Sequence, residues 1–217
     1  MHQKPRILVF ASGSATGGGS GFQKMVEMSR GSHPVLDANI VGVVSNHAAG
    51  GIAAKARRLG VRFGHWTGPY DAAGYQRWVR DFEADYVMCS GWLKYVLGLD
   101  MARTVNIHPG PLPLTAGLHG HHVHEAVMRA YAEGAIDHSA VNIHFVDSDP
   151  DAGYDTGSVA QCIRLPVLDD DTPETLASRV NACEHAWQSL ILNEIVHGRI
   201  WLDGCQVHSD GIPLLRE

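Results

Sequence analysis

No apolar run in this 217-residue chain approaches the roughly 20 residues that a membrane-spanning helix needs, so the pattern does not predict an integral membrane protein. Cysteine is scarce. The four present, Cys89, Cys162, Cys183 and Cys205, lie far apart and form no C-x-x-C, which argues against a disulfide framework and a cysteine-based metal knuckle. They are expected as reduced, mostly structural thiols. Basic excess is missing too: 17 Lys and Arg stand against 23 Asp and Glu, a net charge of -6. That balance argues against a nucleic-acid partner held by a basic patch. H-E-x-x-H does not occur, nor does the Gly-Lys-Ser/Thr that closes a P-loop. The N-terminus starts basic, but its apolar stretch is short, leads into Gly and Ser, and meets no A-x-A-like cleavage site. It reads as a first strand, and a cytoplasmic location is expected.

What is present is an alternation of short apolar runs and helical patterns. Strands are expected at 6–11, 39–45, 61–63, 86–89 and 104–107, with helices at 20–29, 51–59, 70–84 and 121–132 between and after them. Runs at 140–146 and 158–166 lie close together and predict an antiparallel pair. Asp171-Thr172-Pro173-Glu174 is a helix start, with a cap residue, a proline in the first turn and an acid, and the helix it opens is expected to run to about Val196. A short strand follows at 200–202. The expected fold is α/β: a doubly wound, Rossmann-like, mostly parallel sheet with a C-terminal α+β, antiparallel part. Residues 1–217 read as one domain with two lobes. In such sheets ligands bind beyond the carboxyl ends of the strands, where three unusual segments stand: 12–21, 90–96 and 106–120.

The first segment, Ser12 to Gly21, joins a strand to a helix. Glycine-freed amides at a helix start suit an anion, and a monophosphate fits better than a dinucleotide, because Ser45-Asn46-His47 replaces a ribose-binding acid after the second strand. In the third segment Asn106 and His108 end an apolar strand two residues apart, hence on one face. An amide beside an imidazole suits a developing oxyanion, and Pro109, Pro111 and Pro113 would hold the pair rigid. A satisfied polar strand end is the competing reading. A third polar group is sought in 144–161, where Asp147, Asp149, Asp151 and Asp155 are candidates. His119, His121, His122 and His124 invite a zinc site, but no ligand set of the usual spacing accompanies them and none is expected.

Asn106-Ile107-His108-Pro109, the proline-rich run to Gly117-Leu118-His119, and His144-Phe145-Val146 with a following Asp-x-Gly resemble the folate-dependent formyltransferases. The likeness extends over nearly the whole chain. Ser90-Gly91-Trp92-Leu93-Lys94 is similar to the family's folate-side segment, Glu184-His185 to its long helix, and Gly198-Arg199-Ile200 to its C-terminal hairpin. The resemblance implies formyl transfer from 10-formyltetrahydrofolate, as co-substrate and without a metal, to the amine of glycinamide ribonucleotide in purine synthesis. It implies a catalytic trio of Asn106, His108 and an aspartate. Counting forward from His144 gives Asp151; counting back from the strand at 158–166 gives Asp155, which is favoured because that strand anchors it. Gly13, Ser14, Ala15, Thr16 and Gly17 would hold the phosphate and Glu184 the ribose. Trp92, Leu93, Lys94, Tyr95, Val96, Val141 and Asp151 would flank the pterin. Residues 1–105 would form the nucleotide half and 106–217 the catalytic and folate half, in a monomer or homodimer.

The first loop departs from the family's shorter version: it carries extra glycines and lacks an asparagine. Three other readings therefore stay open. They are a sibling enzyme acting on another amine, a formyltetrahydrofolate hydrolase, and a catalytically silent ligand-binding paralogue.

Overall fold

Period-two burial along the first strand organises the molecule. In the computed structural model, which describes residues 3–215, β1 (Arg6–Phe10) sends Ile7 and Val9 into one core and Leu8 and Phe10 into another. A strand with both faces buried needs an apolar side chain at every position, and RILVF supplies them after its first residue. The elements that follow are α1 (Ser20–Met28), β2 (Asn39–Ser45), α2 (Gly51–Leu59), β3 (Phe63–His65), α3 (Ala72–Asp81), β4 (Tyr86–Ser90) and β5 (Thr104–His108). Then come α4 (His121–Ala132), β6 (His138–Phe145), β7 (Val159–Pro166), α5 (Pro173–Val196) and the hairpin β8 (Ile200–Asp203) and β9 (Gln206–Ser209).

Seven strands form one sheet in the order β3-β2-β1-β4-β5-β6-β7, and β8-β9 form a second. β1 to β5 run parallel; β6 and β7 are antiparallel additions to the edge. The larger core packs α1, α2, α4 and α5 on one face, through residues such as Phe22, Met25, Ile52, Val127 and Leu192. The other face is closed by α3 and an aromatic group of Phe10, Trp66, Tyr75 and Trp92. The chain winds outward from β1 to β3 and returns to β4 on the other side of β1. Loops leaving β1 and β4 therefore diverge, and a crevice opens between them.

Local chemistry explains most element ends and three departures from expectation. α5 starts where its sequence says: Thr172 caps it, and Thr175 returns the bond in a capping box, with Pro173 in the first turn. β3 begins two residues later than expected, because the Val61 amide turns back to the Ala56 carbonyl to close α2 past Gly60, whose φ is 64°. α3 is shorter than 70–84: the Asp71 side chain accepts from the Gly74 amide at its start, and Glu83 adopts φ 49° after the last turn. β6 begins at His138 rather than 140 because it pairs with β7 back to Pro166.

Candidate active site

β5 places Asn106 and His108 at the carboxyl edge of the sheet, and the antiparallel β6 sets His144 opposite Asn106 and Asn142 opposite His108. Facing residues on adjacent strands are in contact range, so the β5–β6 register brings a second histidine to the pair. His144 Nε2 lies 3.0 Å from Asn106 Nδ2, and its Nδ1 lies 3.0 Å from the Phe145 carbonyl oxygen. A carbonyl only accepts, so Nδ1 carries the hydrogen there.

The aspartate that joins them is Asp155. Its Oδ1 accepts from Asn106 Nδ2 at 3.1 Å and lies 3.4 Å from His144 Nε2. Its Oδ2 accepts from the Gly117 amide at 3.0 Å and lies 3.4 Å from His108 Nδ1. Burial by itself would raise the pKa of this carboxyl. The His144 contact, the charge of His108 and the Gly117 amide outweigh burial and hold it below its ordinary 3.8. Asp155 reaches this place in a left-handed conformation, φ 56°, which aspartate tolerates better than most residues. Asp151 does not join the group: it is exposed in the preceding turn, where its amide donates to Asp149 Oδ1.

The proline-rich run has a specific task. The Thr115 amide and hydroxyl both donate to the Pro111 carbonyl, at 3.0 and 2.8 Å, which curls the loop back onto the strand end. Thr115 Oγ1 then lies 2.9 Å from His108 Nε2. A hydroxyl has one hydrogen, and it goes to Pro111, so Nε2 must be the donor to Thr115. Asn142 Nδ2 donates to the Gly110 carbonyl at 2.9 Å and clamps the start of the loop. Thr115 was not singled out by the sequence reading, and His144 entered it only as part of the family motif, with no role in the site. The amide of Asn106 also lies differently from expectation. An ionised carboxylate only accepts, so the N–H side of Asn106 faces Asp155, and its Oδ1 points away from the carboxylate.

The group opens on a cavity of about 770 Å³ bounded by the α1 start, the 117–121 loop and α5. Of the expected phosphate residues, Gly13, Ser14, Ala15, Thr16 and Gly17 do not line it. They close on themselves, with the Ser14 amide donating to the Gly17 carbonyl and the Gly17 amide to Ser14 Oγ, and dock on α2 through the Gly51 amide. The lining residues are the next four, Gly18, Gly19, Ser20 and Gly21. α1 has no side-chain cap and no acid in its first turn, so its amides stand bare toward the cavity. Glu184 lines the opposite wall, accepting from Asn181 Nδ2 at 3.1 Å, and burial pushes its pKa up to about 7.

A smaller cavity of about 50 Å³ lies behind the Asp155 group, lined by Trp92, Lys94, Tyr95, Val96, His144 and Thr156 among others. Four of the expected folate residues are therefore adjacent to the site, and Leu93 lines the larger cavity instead. Val141 is a correction: it lies in the main core, on the face of β6 opposite that of Asn142 and His144. Asp151 lines neither cavity. Cys89 borders the smaller one, but burial, reinforced by Asp155, pushes its thiol up to about 12, so it is not a poised nucleophile. His121 and His122 pair with Glu125, and no cluster fit for a metal occurs among the described residues.

The family model described as formyl transferase matches residues 5–192. Phosphoribosylglycinamide formyltransferase, chloroplastic, from Arabidopsis thaliana is 33% identical over 99% of this chain and 71% of its own. The crystal structure of glycinamide ribonucleotide transformylase 1 from Symbiobacterium toebii superposes with a TM-score of 0.78 at 28% identity, covering 95% of this chain and 94% of that one. Phosphoribosylglycinamide formyltransferase from Coxiella burnetii gives 0.80 at 26% identity, over 98% and 96%. With the family model spanning most of its length and its polar strand end built as described, the chain belongs to the formyltransferase family.

Proposed function

We propose that the chain transfers the formyl group of 10-formyltetrahydrofolate to the primary amine of glycinamide ribonucleotide, a step of purine biosynthesis. One observation carries this reading. The Asn106–His108–Asp155 group opens on a cavity of about 770 Å³ whose far wall offers bare helix amides and Glu184. A hydrolase would need room only for water beside its donor; this wall has the size and chemistry for a phosphorylated sugar.

The acceptor nitrogen attacks the formyl carbon, one N–C bond forms, and the carbonyl oxygen takes the electron pair. His108 meets that oxyanion through Nδ1–H, which stands 3.4 Å from Asp155, while Nε2–H stays on Thr115. Asp155 favours the cationic imidazole, and Thr115 fixes the ring by holding Nε2. Asn106 acts through Oδ1, accepting a hydrogen from the attacking amine and aiming its lone pair. The intermediate collapses as the bond to the folate nitrogen breaks. One proton passes from the amine, through water beside Asp155, to the leaving nitrogen, with His108 as the donor. The 10-formyl donor would lie along Trp92–Val96 with its pterin toward the smaller cavity, and the acceptor phosphate against Gly18–Gly21. In this reading residues 1–217 act as one formyltransferase domain, monomeric or dimeric and cytoplasmic. Among the described residues no helix is long and apolar enough to cross a membrane.

The test is the absorbance rise of deformylated folate with and without glycinamide ribonucleotide. Turnover that requires this acceptor supports the proposal. Equal turnover without it returns the hydrolase, and turnover only with another amine overturns the acceptor.

A further inference from the structure

Asp155 hangs from β7, and the ladder that anchors β7 is interrupted close to it. Ile143 of β6 faces Gln161 and His144 faces Val159, so Ala160 is an extra residue with nothing opposite. A bulge of this kind bends the strand and leaves one residue out of the ladder. It stands between Asp155 and the regular length of β7. Gly157 shows how tightly the chain passes β6 here. A Cβ built on it would stand 1.8 Å from the Phe145 carbonyl oxygen. Gly157 has no positive φ, so the close approach, and not its backbone conformation, requires glycine.

β7 is also the last strand of its sheet, and its outer side needs a partner beyond β6. The C-terminal segment supplies one on both flanks of the bulge. On the Asp155 side, Ser158 Oγ donates to the Cys205 carbonyl, in the turn of the β8–β9 hairpin, at 2.8 Å. On the other side, the Cys162 amide donates to the Leu215 carbonyl at 3.0 Å. The Gln161 carboxamide holds the tail twice: Nε2 donates to the Pro213 carbonyl at 2.8 Å, and Oε1 accepts from the Leu215 amide at 2.7 Å. Gln161 is 2% exposed, so water does not compete for these bonds. Leu202, Val207, Ile212 and Leu214 pack against the main core, which fixes hairpin and tail to the body of the protein.

We propose that the C-terminal hairpin and tail, residues 200–215, splint the β7 bulge and thereby position Asp155, with Ser158 and Gln161 as the positioning residues. Neither side chain bonds to Asp155. Each holds one flank of the bulge, so that the carboxylate keeps its Oδ2 between the Gly117 amide and His108. The placement of Asp155 stands without any reaction; its effect on turnover rests on the function proposed above.

The experiment compares the full chain with Ser158→Ala, Ser158→Thr and Gln161→Met. The Gly117 amide donates to Asp155 Oδ2, so its NMR shift and hydrogen-exchange rate report the carboxylate without substrate, and Asp155→Ala gives the reference for its loss. Ser158→Ala and Gln161→Met are expected to move the Gly117 signal toward that reference and to speed its exchange by about threefold and about tenfold. Ser158→Thr keeps the hydroxyl and should stay with the parent. Formyl transfer to glycinamide ribonucleotide follows the same order: kcat falls about threefold and about tenfold, both KM values stay within about twofold, and Ser158→Thr restores the rate. A merely structural contact would lower the melting temperature and leave Gly117 and kcat at the parent's values below it. That result overturns the proposal, as does a Ser158→Thr no better than Ser158→Ala. If Gly117 responds as expected but the parent transfers no formyl group to glycinamide ribonucleotide, the splint stands and the acceptor assigned above falls. Should Gln161→Met fail to fold, the two Ser158 variants, at a partly exposed position, carry the comparison.

Discussion

Two walls of one cavity are built on opposite terms. At the β5 end polar groups answer one another: Asp155 contacts Asn106, His108, His144 and the Gly117 amide, while Thr115 holds the other side of His108. Across the cavity, on α4 and α5, His124 Nδ1, His185 Nε2 and Gln188 Nε2 are buried without hydrogen-bond partners among the described residues, and burial pushes the pKa of Glu184 up to about 7. A satisfied network is rigid and positions reacting atoms before substrate arrives. A wall whose polar groups do not answer one another contributes less rigidity of its own. On the proposed function, the difference separates the groups that would act on the formyl carbon from those that would choose the acceptor.

Asp155→Asn breaks the first wall and carries the largest expected effect. The amide cannot accept from Asn106 and Gly117 and pair with His108 together, so kcat should fall by about 10²–10⁴, the range for a group acting on the proton and the oxyanion. Asp151→Asn, in the exposed turn, is the matched control and should stay within about twofold of the parent. The acid side gives a second check. Because the folded pKa of Asp155 lies below 3.8, its stabilisation is present above that value and is lost as pH falls through the lower folded value. Chemical denaturation should therefore show parent and Asp155→Asn converging in stability below pH 3.8 and diverging above it. Parallel curves would mean that the network adds nothing to the fold.

Thr115→Val tests whether the proline loop positions His108. Valine keeps the shape and removes the oxygen that accepts from Nε2. The ring can then turn, and kcat should fall by about tenfold while both KM values stay near the parent's. A change in KM alone would place Thr115 in substrate binding instead.

Glu184→Gln addresses the second wall, and its signs are opposed. A carboxyl raised from 4.5 to about 7 in the fold holds a proton that the unfolded chain releases earlier, so it destabilises the protein increasingly as pH rises from 4.5 through 7. Glutamine has no such proton. The variant should match the parent near pH 4 and melt several degrees higher at pH 8, while KM for the acceptor rises about tenfold from the lost ribose contact. Gaining stability while losing affinity is what an unsatisfied wall predicts, and no residue of the β5 network should do both.

How far the sequence foretold these walls depends on what had to be known. Asn106 and His108 were legible because an amide and an imidazole are conspicuous at the end of an apolar strand. Capping residues and glycines likewise marked the start of α5 and the end of α2. Asp155 emerged from counting back from β7, since a residue beside a strand is fixed by it. The place of His144 beside Asn106 was hidden, although the residue stands in the family motif, because its partner is set by β5–β6 register, which a single strand does not reveal. Parity did contain a usable signal: Val141 differs from Asn142 and His144 in odd and even position, and hence in face. Thr115 needed the curl of the proline loop. Gly13–Gly17 and Gly18–Gly21 are alike in composition, and only the packing of the first group on α2 shows which glycines meet the cavity.

The smallest effect is expected at the seam between the walls. Tyr95 Oη donates to the Asp149 carbonyl at 2.7 Å and accepts from the Gly153 amide at 3.0 Å, while its ring meets Tyr154 edge-on at 5.0 Å between centroids. One hydroxyl thus ties the loop that leads into Asp155 to the segment that borders the smaller cavity. Tyr95→Phe removes both bonds and keeps the ring contact. The loop gains freedom but stays in place, so KM for the formyl donor should rise about threefold, with kcat and acceptor KM nearly unchanged. If kcat falls as far as in Thr115→Val, the loop is part of the catalytic network and the division between the two walls is wrong at this point. If only donor KM moves, the seam belongs to the donor, and the network at β5 keeps its geometry independently of the loop that delivers Asp155 to it.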